Sequence, residues 1–146
     1  MRRLSAALCC CLIFIAVSLA GCGGNTTAGE LKEVKLEQIS SGAKSFVDEI
    51  KDKNGLYLYS PAEEQGYFIV NYLTVNQGEE AKFLESVKTE LQDQSLNIDV
   101  EELGTEEYSD KRLGKMRIFE LDGSQDYKVI QIYRNGAVAA FDSVGG

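Results

Sequence analysis

Residues 79–103 read EEAKFLESVKTELQDQSLNIDVEEL, and the fold turns on whether they form a helix or a hairpin. As a helix, Leu84, Val87 and Leu91 line one face among good helix formers. As strands, Val87, Thr89 and Leu91 alternate with polar residues, and Leu96, Ile98 and Val100 alternate again beyond the polar Gln92-Asp93-Gln94-Ser95. The second alternation is a strand on either reading, and a strand just before it would pair with it through that turn. The hairpin is favoured for this reason.

Downstream, Asn135-Gly136 is the strongest short hairpin signal in the chain, because both residues tolerate positive φ. With Arg134 opposite Ala137, Ile132 falls opposite Ala139 and Ile130 opposite Phe141, which collects one apolar face. A strand holding Met116, Ile118, Phe119 and Leu121 precedes it across Asp122-Gly123-Ser124-Gln125-Asp126. The expectation is a three-stranded meander over residues 115–142. Upstream, residues 56–59 and 67–75 are dense in aromatic and β-branched side chains around a polar loop that carries the only proline. They predict a hairpin with a long turn. Phe68-Ile69-Val70 is apolar on both faces, which places the second of these strands centrally. Phe46, Val47 and Ile50 recur at helical spacing, so a short helix is expected over residues 43–53, with Ser45 as cap and Asn54-Gly55 as stop. Val34 and Leu36 alternate with charges from Glu33 onward, a weak strand signal. The predicted fold class is mainly β, α+β at the margin: a small antiparallel sheet folded as a barrel or sandwich with one short N-terminal helix. Strictly parallel α/β is disfavoured, since crossover helices are too few.

The N-terminus carries the clearest address. Arg2 and Arg3 precede a run over residues 4–20 without a charge, followed by small residues, which is the layout of a secretory signal. The run is slightly short for a spanning helix, which needs about 20 apolar residues. It ends in Leu19-Ala20-Gly21-Cys22, which resembles the lipobox of bacterial lipoproteins closely. That resemblance implies cleavage before Cys22 by a signal peptidase of the lipoprotein type, a diacylglycerol on the Cys22 thiol, and acylation, such as palmitate, on the freed amine. Two or more acyl chains make a durable anchor, at about 0.8 kcal/mol for each buried methylene. Cys9, Cys10 and Cys11 lie in the signal, so no thiol remains for a disulfide, a redox pair or a metal once Cys22 is lipidated. The expected organisation is a signal peptide over residues 1–21, a lipidated tether of flexible, glycine-rich composition over 22–29, and a single β-rich domain over 30–146.

Residues 1–21 hold two of the 15 basic side chains and none of the 23 acids, so the remainder has 13 basic against 23 acidic side chains and a net charge of −10. Nucleic acid is excluded as a partner on this balance, and no polybasic attraction to anionic headgroups is available. Histidine is absent, which removes Ser-His-Asp, Cys-His and His-based zinc chemistry.

What chemistry remains is sparse. Asp99, Glu101, Glu102, Glu106, Glu107 and Asp110 gather around the end of a strand, as a carboxylate pair or calcium ligands would. A solvated acidic loop with Lys111, Arg112 and Lys115 as counterions is the better reading. Asp122 and Asp126 flank a glycine turn and read as turn chemistry rather than a cation site. Serine with lysine is the only nucleophile and base combination left to the chain; Ser45 lies beside Lys44 and Ser86 two residues from Lys88, and neither pair has a supporting motif. No catalytic residue, metal ligand or cofactor is therefore expected. Seven tyrosines stand out, and Tyr57 with Tyr59, and Tyr127 with Tyr133, would share strand faces as a speculative binding surface. The same rings edge an ordinary core, which is the stronger of the two readings. Residues 71–80, NYLTVNQGEE, are similar to small uncharacterised envelope proteins of Gram-positive bacteria; the likeness carries no known site and no function is taken from it.

The expected function is a non-catalytic, lipid-anchored extracytoplasmic binding or accessory protein of the bacterial envelope. It is held to the cell membrane, or to the outer membrane of a diderm, through Cys22, and its partner is an envelope protein or wall component. The alternatives are a carboxylate-dependent hydrolase acting on wall or glycan substrates, and a calcium-stabilised envelope domain.

Overall fold

A computed structural model describes residues 26–146; the expected signal peptide and the expected lipidation site Cys22 lie outside the described residues. The fold is mainly β, with two five-stranded sheets arranged as a sandwich. Residues 79–103 form its longest hairpin, β5 (Ala81–Gln92) with β6 (Ser95–Thr105), so the strand reading holds. Asp93 turns the chain at φ 56°, a left-handed conformation that Asp tolerates better than most residues. Leu96, Ile98 and Val100 are buried and stand opposite Leu91, Thr89 and Val87, as period-two alternation demands.

The first sheet is completed by β1 (Thr26–Gly29), β8 (Val129–Arg134) and β9 (Ala137–Ala139), in the order β1-β5-β6-β8-β9. The second holds β10 (Ser143–Gly145), β3 (Gly55–Tyr59), β4 (Tyr67–Tyr72), β7 (Lys115–Glu120) and β2 (Lys32–Val34), in the order β10-β3-β4-β7-β2. The edge strand β1 runs on into the edge strand β2, and β9 into β10, so the chain crosses between the sheets at both flanks. The β6–β8 and β10–β3 pairs are parallel; the others are antiparallel.

Helix α1 (Ser41–Ile50) covers the outer face of the second sheet. Its buried residues Ala43, Phe46, Val47 and Ile50 pack on Tyr57, Tyr59, Tyr67, Ile69 and Ile118. The alternate residues Leu56, Leu58, Phe68, Val70 and Phe119 face the first sheet and its Leu96, Ile98 and Ile132. β3 and β4 are thus sandwiched between two layers, which is why they are apolar at nearly every position. The helix does not end free: the Asn71 side-chain amide of β4 donates to the carbonyls of Ile50, Lys51 and Lys53.

Several local expectations need correction. The helix begins earlier than its apolar spacing suggests, because Ser40 rather than Ser45 is the cap: the Ser40 hydroxyl accepts from the Ala43 amide at 3.2 Å, whereas Ser45 donates to the Ser41 carbonyl. The last four residues of the expected tether are β1, whose backbone pairs with residues 89–92. Glycine-rich composition hides such a strand because ladder hydrogen bonds require no side chain. The meander also breaks. The Asn135-Gly136 turn forms with both residues at positive φ, and Ile132 faces Ala139, but β7 does not pair with β8. Both edges of β7 are occupied, by β4 and β2, so residues 121–128 cross to the other sheet and β8 joins the free edge of β6. Pairing of β9 stops at Ala139, short of Phe141, because the chain then crosses to β3, where the Asp142 amide donates to the Leu56 carbonyl at 2.7 Å.

Candidate functional site

The tyrosines do not make one surface. Tyr57 and Tyr59 are 3% and 8% exposed and lie beneath α1, with the Tyr57 hydroxyl donating to the Lys53 carbonyl. Phe46 packs edge-on against Tyr57 and tilted against Tyr59, so the helix claims the very face that the two tyrosines share. Tyr127 precedes β8 and packs half-buried against the sandwich core. Only Tyr133 lies on the outward face of the first sheet. There it stands abreast of Lys88, Asp99 and Val138 across four strands, with Val138 80% exposed.

The six acids diverge as well. Asp99 and Glu101 project from that outward face, Glu106 and Glu107 sit in the following loop, Asp110 is tied to Arg112, and Glu102 turns into the interior. Among the described residues no three His, Cys, Asp or Glu side chains gather as metal ligands. The serine–lysine pairs dissolve too: Lys44 Nζ donates to the Glu37 carbonyl, and Ser86 Oγ to Glu101.

The structure instead builds a cleft of about 570 Å³ where β4 and β7 of one sheet approach the start of β5 in the other. Its walls are Val70 and Tyr72 on one side and Phe83 and Leu84 on the other. Its rim carries Arg112, Lys115 and Arg117, with Glu33 beside Arg117 and with Asp110 and Glu85 beside Arg112. Arg112 lies flat over Phe83, 3.9 Å from the ring centroid, a cation–π contact. Asp110 holds it there, accepting from Nη2 at 2.7 Å and from Nε at 3.1 Å. This hydrogen bonding from Arg112 brings the Asp110 carboxyl down to about 2. Arg117 donates bidentately to Glu33 at 2.9 and 2.7 Å, which lowers the Glu33 pKa. Lys115 makes no ion pair among the described residues.

Behind the cleft wall lies a buried polar cluster. Tyr72 donates its hydroxyl to Glu102, whose side chain is only 3% exposed. Lys82 Nζ donates to the other Glu102 oxygen at 3.0 Å, and Arg134 Nε stands 3.6 Å from it. Arg134 also lies 3.6 Å from Asp142, which accepts from the Leu56 amide at 2.8 Å. The cluster therefore ties β4, β5, β6 and β8 to the crossover that begins β10. Two carboxylates face two cations, which compensates the charges that burial would otherwise leave costly.

No family model, curated protein or solved structure matches this chain. The site therefore rests on its own geometry. Sequence reading misses Glu33, Tyr72, Phe83 and Arg117, and finds Arg112 and Lys115 only as counterions of an acidic loop.

Burial, followed by the hydrogen bond and charge of Glu102, pushes the Tyr72 phenol well above its ordinary value. Burial likewise raises Tyr57 and Tyr127. A group whose folded pKa lies above its unfolded one contributes stability that is complete below the unfolded value and is lost as pH rises past it. Stability should therefore fall above about pH 10, with Tyr72 contributing up to about 1.4 kcal/mol per pH unit. Denaturant unfolding between pH 8 and 11 checks this. The Tyr72→Phe chain should show a shallower decline than the unaltered protein, and equal slopes would contradict the assignment.

Proposed function

We propose that the protein is a lipid-anchored, non-catalytic binding protein of the bacterial envelope that receives an envelope component in the cleft between its sheets. The observation that carries this reading is a cleft whose walls are fixed before any ligand arrives. Arg112 is clamped between Asp110 and Phe83, Arg117 is locked to Glu33, and Tyr72 is held by Glu102. Fixed side chains cost little entropy on binding, which suits recognition. The rim arginines are matched by Asp110, Glu85 and Glu33, and Lys115, without an ion pair among the described residues, is the charge left for a ligand to meet, which favours a component bearing an acidic group. The lipobox supports the location: Cys22 supplies the membrane attachment and the cleft supplies the contact. A carboxylate hydrolase would need two free carboxyl groups across a cleft, whereas Glu33 is engaged by Arg117.

Two measurements test the reading. Cys22→Ser should release the protein from membranes, and a variant that still sediments with them would contradict the anchor. A photo-crosslinking residue at Leu84, a half-buried residue of the cleft wall, should capture a partner from intact cells, with the yield lost in Lys115→Glu, whereas the same residue at Gln131 on the outward sheet face should not. Capture at Gln131 alone would move the site to that face.

A further inference from the structure

We infer that β1 holds the sandwich with its Gln92–Ser95 end toward the bilayer and its cleft turned away, so that the cleft takes a component from the aqueous side and not a neighbour embedded in the membrane. This rests on the proposed lipidation of Cys22. Only Gly23, Gly24 and Asn25 separate Cys22 from Thr26, so the lipidated residue can lie no farther than about 14 Å from the first paired residue, at 3.3–3.6 Å per residue. Thr26 stands opposite Gln92, the last residue of β5 before the Asp93 turn. The membrane attachment thus enters the domain at that turn.

The cleft lies at the other end of the same strand. Phe83 is nine residues from Gln92 along β5, or about 30 Å at 3.3 Å per residue, so the tether is too short to bring the membrane attachment to the cleft. The remaining elements agree in direction: β2 runs on from β1 toward the cleft, and β4 ends there at Tyr72. Tipping the domain onto the outward face of the first sheet would set Glu90, Asp99 and Glu101 against headgroups with the fewer cations Lys88 and Lys128 to offset them, which an anionic surface opposes.

Fluorescence quenching in vesicles carrying a headgroup nitroxide tests this with the full acylated protein. Cys22 is consumed by lipid, so single substitutions Gln94→Cys, Asn76→Cys and Lys51→Cys, all at exposed positions, each supply one labelling site. The label at 94, beside the turn, should be quenched several-fold more than the label at 76, beside the cleft, or at 51, on the helix. A long Gly/Ser insertion between Asn25 and Thr26 should shrink that difference. Equal quenching at 94 and 76, stronger quenching at 76, or quenching at 51 matching that at 94 would overturn the orientation while leaving the anchor intact. A full-length chain whose mass shows no acyl group would overturn the anchor itself, and the orientation with it.

Discussion

Glu102→Leu is expected to destabilise the domain by about 3 kcal/mol, near the lower end of what breaking a buried ion pair costs. The Glu102 side chain is 3% exposed and serves Tyr72, Lys82 and Arg134 together. Leucine would leave the Tyr72 hydroxyl without its acceptor and two cations facing an apolar wall. The loss stays at the low end because Lys82 and Arg134 are 47% and 34% exposed and are able to swing toward water. Denaturant unfolding of the single variant gives the number, and a change below about 1 kcal/mol would mean that the cluster is not structural. A combined Tyr72→Phe, Lys82→Met, Glu102→Leu, Arg134→Met chain should recover most of the loss, since replacing a buried polar cluster together with its hydroxyl donor by apolar groups is often neutral. Recovery would locate the cost in stranded partners rather than in lost attraction.

The dependence on several elements explains why this cluster is not legible in the sequence while the hairpin around it is. Residues 87–100 carry their own pattern: two alternations flanking a polar turn state both the strands and their pairing. Asn135-Gly136 is equally local, and its register follows from the side chains on either side. Edge occupancy is not local. Nothing between Met116 and Ile130 says that β7 already has two neighbours, so the Asp-Gly turn reads as a hairpin when it begins a crossover. The cleft is less legible still, because Arg117 and its partner Glu33 are 84 residues apart. Glu102 reads as one of six acids around a strand end. Its distinction is that it falls on the inward side of β6, two residues beyond Val100. The alternation that predicts a core at Leu96, Ile98 and Val100 continues to Glu102, and that is the available signal for a buried carboxylate.

Asn71→Ala should cost about 3 kcal/mol, through a different mechanism. Asn71 is fully buried on β4, on the side that faces α1. Its amide shares two hydrogens among the carbonyls of Ile50, Lys51 and Lys53 at 2.8, 3.1 and 2.8 Å, and its oxygen accepts from the Leu73 amide at 3.0 Å. Carbonyls at a helix C-terminus have no partner within the helix, and here a side chain from the underlying sheet supplies one. Alanine would leave those groups partly desolvated and add a small void beneath the helix end. Asn71→Asp should be worse, because a carboxylate offers no donor to three carbonyls and points its charge at the negative end of the helix dipole. Equilibrium unfolding ranks the three chains, with the unaltered protein expected to be the most stable, the alanine variant next and the aspartate variant last. Amide exchange in α1 should rise in both variants, beginning with its last turn. If the Asn71→Asp chain proved as stable as the unaltered protein, the amide would not be acting as a donor, and the attachment of α1 would rest on its apolar face of Ala43, Phe46, Val47 and Ile50.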